Sequence, residues 1–189
     1  MSLYLGLVGK NGAGKSTVCE VLQKKGYAIF SLSDIVRSEA EKQGLEKTRE
    51  NLIKIGSSLK HLKGPSVLAE MSLKKAQNQN LPKVVFDSIR HPAEVDFFKH
   101  HNVKMLGVDA PLEVRFNRIK ARNNSTDNVT LEEFIEHEEH ELTGKSTGQH
   151  LGETFKKVDY WLENARDLAD LEKLIEKFLL SFNSKINLI

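Results

Sequence analysis

The stretch Tyr4-Leu5-Gly6-Leu7-Val8-Gly9-Lys10-Asn11-Gly12-Ala13-Gly14-Lys15-Ser16-Thr17 decides how this chain folds. Residues 9–17 fit the phosphate-binding loop pattern G-x-x-x-x-G-K-[ST]. Glycines let a backbone turn tightly and bring successive N–H groups against phosphate oxygens. The apolar run before the loop reads as a short buried strand. Thr17 to Gln23 reads as a helix with Val18, Val21 and Leu22 inward. The positive end of that helix then faces the same anion. In this arrangement Gly9, Asn11, Gly12, Ala13, Gly14, Lys15, Ser16 and Thr17 cradle the phosphates of a nucleotide. Lys15 reaches the β- and γ-phosphates, and the Ser16 hydroxyl ligates Mg²⁺.

The 189 residues fit one domain, 1–189, with room for a real core. A formal net charge of +2 leaves no global footprint for nucleic acid, so any anion site must come from local clusters of arginine. The single cysteine, Cys19, rules out an internal disulfide framework and reads as a small core residue of the first helix. No apolar run reaches membrane-span length, and no basic leader precedes the first strand; a cytoplasmic protein without a membrane partner is expected.

Strand and helix patterns alternate along the chain, which argues an α/β fold with a parallel sheet of about five strands. Tyr27–Leu32, Lys83–Ser88, Val103–Val108 and Val158–Leu162 read as the later strands. Between the second and third lie three helical patterns with no strand: Asp34 to Gln43, a helix capped by Thr48, and one opened by Pro65. They read as a helical insertion. Pro92 and Pro111 open further helices, Thr130-Leu131-Glu132-Glu133 is a capping box, and Leu171, Leu174, Ile175, Phe178 and Leu179 mark a final amphipathic helix.

Four features gather around the loop. Asp87 ends the apolar run Val84-Val85-Phe86, at the strand edge where open α/β sheets bind ligands, and a carboxylate there can hold Mg²⁺ or its waters. Asp34 follows the second strand, either as a helix cap or as a ligand. Arg37 falls in the first turn of that helix, against the dipole's preference, which suits a ligand role. Arg90 follows Asp87 directly, so Arg37 and Arg90 can clamp a phosphate with two guanidinium forks. Arg115, Arg118 and Arg122 share one helical face and suit closure over a charged phosphoryl group. Two further matches are set aside. Gly144-Lys145-Ser146-Thr147 lacks the first glycine and the preceding strand of a phosphate loop. His137-Glu138-Glu139-His140 reads as a solvated helix face rather than a metal site.

Taken in order, residues 9–17, Ser33 to Arg37, Val84 to Arg90 and Arg115 to Arg122 resemble a P-loop nucleotide kinase of the adenylate-kinase-like group. Asp34-Ile35-Val36-Arg37 resembles the acceptor-site D-x-[LV]-R pattern. Asp87-Ser88-Ile89-Arg90 resembles D-G-x-x-R with one residue fewer and Ser in place of Gly. Thr48-Arg49-Glu50-Asn51-Leu52 resembles a segment of uncharacterised archaeal nucleotide-kinase-like proteins and of kinase-like domains related to dCMP deaminases. The resemblance implies a three-layer fold, an acceptor-binding insertion over about 34–80 and a mobile lid over about 123–152. It implies transfer of the ATP γ-phosphoryl group to a nucleoside or deoxynucleoside monophosphate. Lys15 and Mg²⁺ would then neutralise the β/γ oxygens, Arg118 and Arg122 bridge donor and acceptor charge, and Asp34, Arg37 and Arg90 meet the acceptor. Dephospho-CoA kinase and an ATP-binding regulatory module are the alternatives.

Overall fold

In a computed structural model, described over residues 3–122, 129–143 and 150–186, five parallel strands form one sheet. The strands are β1 (Leu3–Gly9), β2 (Ala28–Ser31), β3 (Lys83–Asp87), β4 (Lys104–Asp109) and β5 (Tyr160–Glu163), in the order β2-β3-β1-β4-β5. β1 is central, and from Tyr4 to Gly9 every residue is buried, as expected of a strand covered on both faces. Helices α1 (Lys15–Lys24), α2 (Leu32–Lys42), α3 (Arg49–Lys63), α4 (Val67–Asn78), α5 (Pro92–His100), α6 (Leu112–Arg122), α7 (Leu131–Thr143), α8 (Leu151–Phe155) and α9 (Leu168–Ile186) make up the rest.

Alternation along the strands divides the core into two layers. Tyr4, Val84, Phe86 and Met105 face α4 and α5; there Phe86 stacks on Phe98 with ring centroids 4.6 Å apart. Leu5, Leu7, Val85 and Leu106 face α1 and α9, and meet Leu22, Leu171 and Ile175. Cys19 is buried in this second layer, where burial pushes its thiol up to about 12 and leaves it inert.

Several boundaries differ from expectation. α2 starts at Leu32, directly after β2, because Leu32 is needed in the core and Ser31 serves as the N-cap residue. Asp34 is therefore no cap, and Arg37 lies in the second turn rather than the first. α4 starts at Val67, after a turn that includes Pro65; its Ser66 hydroxyl bonds Glu70 at 2.6 Å. β5 starts at Tyr160, since the Asp159 carboxylate instead accepts the Met105 N–H at 2.8 Å. On α3, Ile55 and Leu59 are buried, while Leu62, one turn beyond Leu59, is 73% exposed. The Gly144-Lys145-Ser146-Thr147 match and part of the expected lid, 123–128 and 144–149, lie outside the described residues; α7 falls within the lid span, and α8 begins at its end. No helix among the described residues is long and apolar enough to cross a membrane.

Candidate active site

The sheet order brings β3 and β4 to either side of β1, so the loop that follows β1 opens at the carboxyl edge of the sheet, between the ends of its neighbours. Gly12 and Gly14 have φ of 75° and 98°, which other residues adopt only with strain. Each also lacks room for a side chain. A Cβ on Gly12 would meet the Arg115 carbonyl oxygen at 2.5 Å, and one on Gly14 would meet Asn164 Nδ2 at 2.2 Å. Gly14 is the N-cap of α1, so the first backbone N–H groups of that helix are left for a ligand.

Lys15 folds back over the loop, its Nζ donating to the carbonyls of Gly9 at 2.7 Å and Lys10 at 2.9 Å. Burial lowers its pKa from 10.5 to about 8, against the opposing pull of the Asp87 carboxylate and with a further push from Arg90. An unfolded chain therefore binds more protons than the folded one between these values, so stability of the free protein should rise with pH across that window. Phosphate oxygens beside the ammonium would restore its proton. Binding of ATP near pH 9 should take up close to one proton, read by calorimetry in buffers of different ionisation enthalpy. Lys15→Met should abolish the uptake.

Asp87 closes β3 level with Ser31 of β2. Its Oδ1 is buried and, among the described residues, has no hydrogen-bond partner; Oδ2 has only the Ser88 hydroxyl at 3.4 Å. A carboxylate oxygen so placed, acting on both Lys15 and Cys19 of α1, fits a hard cation, and Ser16 is the exposed hydroxyl in the first turn of α1 that could share it. Beside it, the hydroxyls of Ser31, Ser33 and Ser88 meet within 2.7–3.3 Å. Ser88 stands at φ 64°, the left-handed region where a glycine would rest more easily.

The remaining charged residues divide between two cavities. The larger, about 860 Å³, is lined by Gly9 and Lys15 of the loop, by Arg37 and Arg90, by the cavity faces of α2 and α3, and by Phe134, Glu138 and Glu141 of α7. Arg37 Nη1 donates to Asp34 Oδ1 at 2.7 Å and to Ser33 Oγ at 3.2 Å. Arg90 lies 3.7 Å from Glu141. Its backbone N–H donates to Glu94 Oε2 at 2.9 Å, which fixes the turn after Asp87. The smaller cavity, about 300 Å³, lies on the other flank of the loop between Gly12, Gly14, Thr17, Arg118, Arg122, Asn164 and Leu168. The structure thus places Arg37 and Arg90 together, and Arg118 and Arg122 apart from them.

Arg115 does not belong to either set. It is 2% exposed, donates to the Ala110 carbonyl and to Glu138, and lies over the Phe134 ring. The expected row of three cationic residues on one face is therefore a pair, with Arg115 acting as a buried tie between α6 and α7. Glu138, expected in a solvated face, is the other end of that tie and also pairs with Lys10 at 3.4 Å.

A family model described as an AAA domain, AAA_18, matches residues 5–144. The UPF0200 protein of Pyrococcus horikoshii is 33% identical over 177 residues, covering 90% of this chain and 92% of that one. The chain belongs to the UPF0200 family, within the AAA_18 domains. A UPF0200/UPF0201 protein of Archaeoglobus fulgidus is 33% identical over 189 residues, but the chain spans only 57% of its length. Among solved structures, TT1252 from Thermus thermophilus superposes with a TM-score of 0.61 at 24% identity, covering 95% of this chain and 97% of that one. The shikimate kinase of Acinetobacter baumannii in complex with shikimate gives 0.61 at 17% identity, covering 96% and 94%. These likenesses show a P-loop kinase-like fold.

In this UPF0200 chain two residues of the site escaped the sequence reading. Asn164, 5% exposed, donates from Nδ2 to the Ala13 carbonyl at 2.9 Å and packs against Gly14, so it braces the loop from β5. Its only sequence signal is a polar residue at the carboxyl end of a strand. Glu94, 1% exposed, accepts from the Arg90 and His91 N–H groups and pairs with Lys60 of α3 at 3.2 Å. It is the third residue of α5, after Pro92, and such a place signals helix capping rather than a site.

Proposed function

We propose that this protein transfers the γ-phosphoryl group of ATP to a nucleoside or deoxynucleoside monophosphate, giving ADP and the diphosphate. The observation that carries this reading is the convergence of Arg37 and Arg90, from two strand ends, on the cavity that also holds Lys15. Two forked donors suit a terminal phosphate dianion. Lys15 and the loop N–H groups bind the donor's β- and γ-phosphates. Ser16 and Asp87 hold Mg²⁺, which spreads the charge of those oxygens when bound. Arg118 has a buried Nη1 with no hydrogen-bond partner among the described residues, and with Leu168 and Asn164 offers the donor base a surface beside Gly14. Arg122 acts electrostatically on Lys15 and bridges toward the transferring group. Such catalysis is positioning and charge stabilisation in a site that α7 helps to keep dry.

A hydroxyl acceptor such as dephospho-CoA needs a general base instead. Asp34, the candidate, is held by Arg37 Nη1 at 2.7 Å, and unlike Arg37 it is not among the residues that line the cavity. The test is ADP release in the presence of ATP, Mg²⁺ and each of a panel of nucleoside monophosphates, their deoxy forms and dephospho-CoA. Release with dephospho-CoA and with no monophosphate would overturn the reading. ADP release that no acceptor accelerates would instead indicate a regulatory ATP-binding module. With the best acceptor, Arg122→Ala should lower kcat more than it raises either KM, because its charge matters most as charge develops on the group in flight.

A further inference from the structure

Gly56 lies in the middle of α3, where glycine costs about 0.5–1 kcal/mol of helix stability relative to alanine. Its φ is not in the left-handed region, and the protein itself does not exclude a side chain there. A Cβ on Gly56 would find a single neighbour, Val36 Cγ2 of α2, at 3.8 Å, an ordinary van der Waals contact. Packing therefore gives no reason for a glycine. What does distinguish the position is that it faces the 860 Å³ cavity, one turn from Leu52 and one turn from Lys60 on the same stripe of α3. Val36, Leu52, Ile53 and Leu68 give this part of the cavity apolar walls, and Gly56 leaves a gap in one of them.

We infer that the gap at Gly56 is a slot for the planar base of the acceptor nucleotide, with Gly56 the residue that sets the slot's depth. A flat heteroaromatic ring presents an apolar face that such walls can cover. Ser57 and Lys60, which line the same cavity beside Gly56, are left for the polar edge of such a ring. The slot lies in the same cavity as Arg37 and Arg90, so one molecule carrying a base and a phosphate can occupy both. The inference rests on the proposed monophosphate acceptor and adds the residue that selects for its ring.

Gly56→Ala makes the two possible roles of this glycine give opposite signs. Alanine is the better helix former, so the thermal midpoint of the free protein should rise by about 2–4 °C. At the same time the dissociation constant for nucleoside monophosphates, measured by calorimetry without ATP, should rise at least about tenfold, while ATP binding stays unchanged. Ribose 5-phosphate, which keeps the phosphate and lacks the base, should bind wild type and Gly56→Ala equally. A lower thermal midpoint in Gly56→Ala, unchanged monophosphate affinity, or no monophosphate binding by wild type would each overturn the slot. Monophosphates that bind wild type, lose affinity in Gly56→Ala and yet receive no phosphoryl group would leave the slot standing and refute the kinase reading. Turnover that Gly56→Ala leaves untouched would do the reverse.

Discussion

Lys15→Met should lower kcat by at least about two to three decades, the range seen when one preorganised charge or donor is taken from a developing negative centre, while leaving the free protein at least as stable as wild type at pH 7. The two halves of this expectation come from one feature. Lys15 is held half-buried against its own loop carbonyls, with its pKa pulled down to about 8. Below that pH the free protein carries a charge it has partly desolvated, a penalty bounded by about 3 kcal/mol from the shift. Removing the ammonium relieves this penalty and forfeits two hydrogen bonds worth about 1 kcal/mol each. Turnover in the acceptor panel and a thermal melt without nucleotide check the two halves together. Wild-type turnover in a folded Lys15→Met protein would remove this loop from phosphoryl transfer.

Arg37→Ala and Arg90→Ala should each raise the acceptor KM by about one to two decades, the worth of one charge-assisted contact, with the KM for ATP little changed. Their partners make the two variants unequal in other respects. Arg37 leaves behind Asp34, an exposed carboxylate that water can serve. Arg90 leaves Glu141, which is more enclosed within the cavity, so its loss should add a penalty of its own. Asp34→Asn should be mild by comparison. If Asp34→Asn collapses kcat while both arginine variants keep their acceptor KM, the acceptor is a hydroxyl and Asp34 its base. Steady-state kinetics with the best acceptor of the panel separates these patterns.

How much of this was legible beforehand depends on the range of the forces involved. The phosphate loop, the alternation of strands and helices, and Asp87 at a strand's end are encoded by neighbours in the chain: glycines at fixed spacing, apolar runs, a polar stop. Arg115 was misjudged for a definite reason. Helical spacing says that Arg115, Arg118 and Arg122 share a side, but it does not say what packs there, and the partner that buries Arg115 is Glu138 of another helix. Asn164 braces the loop from across the sheet, and the pairing of Glu94 with Lys60 joins α5 to the insertion; neither link has a local signature. The early start of α2 followed from tertiary demand as well, since Leu32 is drawn into the core at the point where local preference would have placed a cap two residues later.

The position of β1 at the middle of the sheet also bears on how the chain reaches this state. Leu5 stands in register with Val85 on one side and with Lys104 on the other, so neither partner of the central strand is near it in sequence. The whole insertion must be traversed before the first pairing can close, and loop-closure entropy delays such contacts. During synthesis the phosphate loop would therefore stay unbraced until β3 and β4 have emerged, and for longer on the flank that Asn164 completes. Refolding of this protein should be slow for its size, and ATP should stabilise only the late species in which the sheet is already closed.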